Sequence, residues 1–97
     1  MSLAVRRIVT GHDKNNKSIV LIDEQTTNVL STRDGQHSSV VWATDNLTPD
    51  LNQLNDISHG VKTTTIPGGS VCRISKLDPG VSPRMHRTES IDFAIIL

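Results

Sequence analysis

The sequence predicts an all-β fold. Short runs of β-branched and apolar residues are separated by turn signals rich in Gly, Pro, Asn and Asp, and no stretch sustains the 3.6-residue periodicity of an amphipathic helix. The 97 residues suffice for one small domain with a compact core. We therefore expect a single domain, residues 1–97, with about five to seven strands in a sandwich or barrel.

The first half of the chain predicts four strands. Strands 6–10 and 18–23 flank the connection GHDKNNK, whose Gly, Asp and Asn residues suit a longer hairpin loop. The letters TTNVLS predict a short third strand, and HSSVVWATD predicts a fourth, because TRDGQ between them supplies turn chemistry.

Glycine and proline divide the second half. The polar segment 46–60 has only Leu51 and Leu54 at helical spacing, so at most one helical turn is expected there. The letters VKTTTIPGGSVCRISK predict two β-rich pieces, 61–66 and 70–76, on either side of a Pro-Gly-Gly turn. A second turn, Asp78-Pro79-Gly80, precedes the terminal stretch.

Charge and composition exclude several function classes. Ten Lys and Arg balance ten Asp and Glu, so the chain lacks the positive field that nucleic acid or an anionic membrane would require. The apolar run 93–97 is too short to span a bilayer, and the N-terminus lacks the apolar region of a secretory signal, so a cytoplasmic protein is expected. The single Cys72 has no disulfide partner in the chain and is expected to be a small buried apolar residue.

The terminal stretch PRMHRTESIDFAIIL predicts a strand with one polar face. Alternation places His86, Thr88, Ser90 and Asp92 on the same side. Beyond Asp92 the residues are apolar on both faces, which predicts a central strand buried between layers. A polar cluster that leads into a buried strand suits the mouth of a ligand-binding barrel.

Residues 80–97 resemble the first motif of the cupin superfamily, which reads Gly, five residues, His, one residue, His, three or four residues, Glu, six residues, Gly. Gly80 and His86 match, Thr88 stands at the second His position, and Asp92 stands at the Glu position. The closing Gly would fall at the second residue past Leu97. The upstream order RIVTGH, SIVLIDE, SSVVWATD and PGGSVCRISKLDPG also resembles the lead-in of small single-domain cupins. The resemblance implies a jelly-roll β-sandwich or barrel, of which this chain would form the N-terminal part and which is incomplete at its C-terminus.

The favoured hypothesis is a cupin-like protein that binds a small molecule. Arginine can hold an anionic ligand through bidentate contacts, and the only Trp is expected in the core or in a pocket wall. The expected pocket residues are His86, Thr88, Ser90, Asp92, Arg84 and Trp42.

A metal-dependent enzyme, such as an oxygenase, isomerase or decarboxylase, is the alternative. His86 and Asp92 could ligate Fe, Mn, Ni or Zn, but an open catalytic site needs about three protein ligands. Within this chain the others would have to be His12, His37 or His59, so we expect no tightly bound metal.

The third alternative is an inactive fragment that assembles through exposed strand edges. We also expect a homodimer formed through β-strands, because buried unpaired backbone groups are costly. The cupin resemblance places that pairing at the N-terminal strands, 6–23.

Overall fold

The computed structural model describes residues 3–51, 55–82 and 84–97, and these residues form five strands and one short 3-10 helix. The strands lie in two antiparallel sheets, one of order β1-β2 and one of order β3-β4-β5. The all-β prediction is confirmed, since the described residues contain no α-helix. In chain order the elements are β1 (Arg6–His12), β2 (Ser18–Gln25), β3 (Val29–Arg33), β4 (Gln36–Thr44), the 3-10 helix Ser58–Gly60 and β5 (Ser70–Leu77).

Strands β1 and β2 form the predicted N-terminal hairpin, and its loop is stabilised by one carboxylate. Asp13 Oδ1 accepts hydrogen bonds from the backbone N–H groups of Asn15 and Lys17, at 2.8 and 2.9 Å. Asn16 adopts a positive φ of 60°, a conformation that asparagine tolerates better than most residues. The Asp and Asn residues of the loop therefore determine its path.

A β-bulge interrupts this hairpin. Val9 pairs with Ile22 but Thr10 pairs with Val20, so Leu21 is the extra residue on β2. A Cβ at position 11 would lie 2.9 Å from Leu21 Cγ, which is closer than side chains approach one another. An alanine at position 11 would therefore require the Leu21 side chain to move.

Strand β4 is the centre of the second sheet. The two-residue connection Asp34-Gly35 joins it to β3, with Gly35 at a φ of 80°. On the other side, β4 pairs with β5 from Gln36 to Thr44, with a second bulge at Val41. The start of β5 approaches β4 so closely that a Cβ at Gly69 would lie 2.9 Å from the carbonyl carbon of Thr44.

The hydrophobic core is small and lies between β4 and the segment that follows it. Val40, Ala43 and Val61 are buried. They are surrounded by partly buried apolar side chains, namely Leu30, Ile57, Ile66 and Val71. The segment around the 3-10 helix therefore packs onto the central strand. This short helix is the single helical turn expected between residues 46 and 60. Leu54, one of the two leucines at helical spacing, lies outside the described residues.

Several local predictions are wrong. Residues 61–66 form no strand. The third strand begins at Val29 rather than at position 26, because the polar residue before it binds another part of the chain. Asn28 Nδ2 donates hydrogen bonds to Ser58 O and Val61 O at 2.7 and 2.6 Å. Cys72 is exposed, because β5 lies at the edge of its sheet and most of its residues face solvent.

The terminal stretch is also not the buried central strand that its pattern predicted. Residues 84–97 are in no β-ladder and are exposed, with Phe93 96% and Leu97 103% accessible. The physical reason is that burial of a strand depends on partners on both sides, and no described strand of this chain pairs with it. Among the described residues, no helix has the length and apolarity needed to cross a bilayer.

Candidate functional site

A buried arginine is the centre of a polar cluster that contacts both sheets. Arg7 lies on the inward side of β1, and only 3% of its side chain is exposed. A buried guanidinium requires anionic partners and hydrogen-bond acceptors, because it cannot lose its charge. The surrounding residues supply both.

Two carboxylates from distant parts of the sequence bind Arg7. Glu24 is its direct partner across the β1-β2 hairpin, and Glu24 Oε1 accepts from Arg7 Nη2 and Nε at 2.8 and 3.1 Å. Asp56 comes from the segment before the 3-10 helix and accepts from Nη1 at 3.3 Å and, more closely, from Nη2. Arg7 therefore joins the hairpin to a segment about fifty residues away in the sequence.

The same guanidinium also binds the second sheet. Its Nη1 donates to the carbonyl oxygen of Val41 at 2.9 Å and to Ser58 Oγ at 3.0 Å. Val41 is the bulged residue of β4, and a bulge disrupts the regular ladder at that point. The Arg7 guanidinium carbon lies 5.9 Å from the centroid of the Trp42 ring, within the range of a cation–π contact.

Asp56 is held in its ionised form. Burial opposes the charge and raises the pKa of Asp56, but hydrogen bonds from Arg7 and from the hydroxyl and backbone N–H of Ser58 outweigh this and lower the pKa to about 2. The Ser58 bonds measure 2.6 and 3.0 Å. The hydrogen bond with Asp56 in turn raises the pKa of Arg7 above its usual value. The pair is therefore a permanent ion pair at neutral pH.

His59 completes the cluster and gives it the donor types of a metal site. One ligand atom from each of Glu24, Asp56 and His59 lies within 4.8 Å of the others. His59 Nε2 is 3.3 Å from Glu24 Oε1 and 3.5 Å from Asp56 Oδ2. However, Arg7 Nη2 contacts all three donors, including His59 Nε2 at 3.2 Å. The guanidinium thus takes the position of the cation, and the cluster is centred on arginine.

A groove of about 670 Å³ lies beside this cluster, and we call it the loop groove. One wall is formed by β1 and the hairpin loop, and the other by the end of β4 and the segment after it. Trp42 belongs to both features, since it contacts Arg7 and also lines the groove. The lining residues are Val9, Thr10, Gly11, His12, Asp13, Asn16, Leu21, Trp42, Ala43, Thr44, Asp45, Asn46, Pro49, Asp50, Leu51, Asn55 and Ile57.

The residues that the sequence predicted for the pocket lie in two places. The five from the terminal stretch are exposed, and two local contacts occur among them: Ser90 Oγ donates to Asp92 Oδ1 at 3.2 Å, and His86 Nδ1 is 2.7 Å from the carbonyl oxygen of Arg84. Trp42, the sixth, is half-buried in the wall of the loop groove. The pocket around His86 and Asp92 stays a prediction.

The sequence pattern does not single out Arg7, Glu24 or Asp56. A partial signal existed for the first two, because a hairpin closed on the Asp-Asn loop brings residues 7 and 24 opposite each other. Nothing in the sequence pattern connects either residue to Asp56. His59 was named as a possible further metal donor, and it lies beside these carboxylates.

Comparison with known proteins finds relatives that match almost the whole of this chain. No family model matches it. Phomopsin biosynthesis cluster protein C′ of Diaporthe leptostromiformis is 36% identical over 100 residues, which cover 94% of this chain and 52% of that protein. A cupin-domain-containing oxidoreductase of Aspergillus ruber is 28% identical over 106 residues, which cover 96% of this chain and 48% of that protein. The chain spans about half the length of these curated relatives.

Proposed function

We propose that this chain carries part of a cupin-like jelly-roll domain that binds a small molecule. The observation that carries the proposal is the similarity to the cupin-domain-containing oxidoreductase of Aspergillus ruber, which extends over 96% of the chain. The all-β fold supports it. The Diaporthe leptostromiformis relative is named for a phomopsin biosynthesis cluster, which favours a biosynthetic intermediate as the ligand.

The pocket of this domain is assigned to His86, Thr88 and Asp92, with Ser90, Arg84 and Trp42 around it. Strand alternation from position 86 to 92 supports the assignment, because it would place the polar side chains on one face once the terminal stretch pairs with neighbouring strands. The exposure of this stretch in the single chain is consistent with pairing that involves further strands.

Metal content tests the pocket assignment. We expect protein purified without chelator to contain far less than one metal ion per chain, because Thr88 supplies a weak neutral donor where an imidazole would be expected. Thr88→His should raise the metal content measured by elemental analysis, and Thr88→Ser is the matched control that should not. Unchanged metal content in Thr88→His would contradict the assignment.

A metal-dependent cupin enzyme is the second candidate, and the word oxidoreductase in the name of the Aspergillus ruber relative favours it. In this case His86 and Asp92 would be two of the ligands, with the metal being Fe, Mn, Ni or Zn. One metal ion per chain in the unmodified protein, lost in His86→Ala, would establish this candidate in place of the first.

We further propose that the chain forms a homodimer through β-strands. The terminal stretch exposes large apolar side chains, namely Ile91, Phe93, Ile95, Ile96 and Leu97, each more than 80% accessible. Exposed apolar surface of this kind favours association. Light scattering at micromolar concentration should give a dimer mass. Phe93→Lys should shift the measured mass toward that of the monomer. Leu47→Lys, which changes another exposed apolar residue, should leave the mass unchanged. A monomer mass for the unmodified chain would refute the proposal.

A further inference from the structure

We propose that the terminal stretch of one copy of this chain binds along the free edge of strand β5 in a second copy, as an added antiparallel strand. This pairing rests on the homodimer proposed above and specifies the two segments that form it. A two-fold symmetric dimer would contain the contact twice, because each copy offers both segments.

Strand β5 offers an unpaired edge. Among the described strands it pairs with β4 on one side only, from Ser70 to Leu77. The middle of the strand, residues 72–75, is exposed. Such an edge accepts an extended segment through main-chain hydrogen bonds. The terminal stretch is a suitable segment, because residues 84–97 are exposed and pair with no described strand of their own chain.

Charge complementarity selects the register. Strand β5 carries two basic residues three positions apart, Arg73 and Lys76. The terminal stretch carries two acidic residues at the same spacing, Glu89 and Asp92. In one antiparallel register, Arg73 lies opposite Asp92 and the second basic residue lies opposite the second acidic one. Opposite charges across strands stabilise a sheet, and none of these four side chains is in an ion pair within the described part of the chain.

The same register also matches uncharged residues. Ile74 lies opposite Ile91, and these two side chains share a face of the sheet. Ser75 lies opposite Ser90. Because Ser75 Oγ is 2.7 Å from Ser38 Oγ on β4, Ser90 would extend a row of hydroxyl groups across three strands.

Other alignments lose these matches. A shift of two residues in one direction brings Lys76 opposite Arg87, and like charges directly opposite each other are destabilising. The same shift in the other direction brings Lys76 opposite Ile91. A parallel alignment that pairs the charges places Ile74 opposite Ser90. The antiparallel register with both charge pairs is therefore the most favourable.

A disulfide cross-link tests the pairing. Cys72 lies opposite Phe93 in the proposed register, and directly opposite residues in antiparallel strands have Cα atoms about 4.5–5.5 Å apart, within the range of about 4.4–6.8 Å for disulfides. Phe93→Cys should therefore form a covalent dimer under mild oxidation, and mass mapping should find Cys72 linked to position 93. Ala94→Cys is the matched control and should form far less, because its side chain points to the other face. Equal cross-linking in the two variants, or a disulfide closed within one chain, would overturn the proposal.

Exchange of one charge pair is the second test. Lys76→Glu and Glu89→Lys each place like charges opposite each other and should weaken dimerisation about tenfold, because the dimer contains the pair twice. The double variant should restore the dimer, and Lys14→Glu, an equal charge change in the exposed hairpin loop, should leave it unchanged. Analytical ultracentrifugation measures all four variants. A double variant no tighter than the single variants would refute this pairing.

Failure of this pairing and failure of the proposed homodimer give different results. A dimer mass for the unmodified chain, without the link from Cys72 to position 93 in Phe93→Cys, would refute the pairing and leave the homodimer in place. A monomer mass would refute both.

Discussion

Replacement of Arg7 by Met should destabilise the protein by about 3 kcal/mol. Among the effects that lower the pKa of Asp56, the hydrogen bond from Arg7 is the largest, and losing such a hydrogen bond between buried charged groups costs about 2 kcal/mol. Loss of the hydrogen bonds to Val41 O and Ser58 Oγ adds about 1 kcal/mol. The sum lies at the lower end of the range of about 3–5 kcal/mol for breaking a buried ion pair, as expected where Glu24 is 35% exposed.

The neighbouring arginine is a matched control for this experiment. Arg6 forms a bidentate pair with Asp23 at 2.8 Å, but both side chains are exposed, by 65% and 44%, so Arg6→Met should leave the free energy of unfolding nearly unchanged. Urea unfolding followed by circular dichroism measures both variants. A loss in Arg7→Met no greater than that in Arg6→Met would refute the view that the Arg7 cluster holds the two sheets together.

Two further predictions concern stability. Because the folded-state pKa of Asp56 is lowered, its contribution of about 2 kcal/mol is present above about pH 4 and is lost as the pH falls through about 2. Urea unfolding across this range should show a slope of stability against pH that is smaller in Asp56→Asn, and part of the slope remains there because Arg6 also lowers the pKa of Asp23. A slope in Asp56→Asn equal to that of the unmodified protein would contradict the assignment. Gly69→Ala should lower the free energy of unfolding by about 3 kcal/mol, because the added Cβ would collide with the backbone of Thr44. Gly60→Ala is the control and should lower it much less, because no atom lies within 4 Å of a Cβ at that position. Equal losses in urea unfolding would show that the close approach of β5 to β4 is not needed.

Local features of the fold were predictable from the sequence, and features that depend on distant partners were not. The hairpin around Asp13 and the strand containing Trp42 follow from turn chemistry and alternation, which act between neighbouring residues. The Arg7 cluster was missed because a charged residue in a strand gives no sign of facing inward until the position of Asp56 is known. The terminal stretch was misjudged for the same reason: alternation indicates which side chains share a face, but it does not identify the strand that covers them.

The bulge in the first hairpin has an evolutionary consequence. Leu21 occupies the space where a side chain at position 11 would lie, so the acceptable residues at these two positions depend on each other. A relative with a small residue at the position of Leu21 can accept alanine or serine at the position of Gly11, and a relative that keeps leucine is expected to keep glycine. During evolution, a smaller residue should therefore replace the leucine before another residue replaces the glycine.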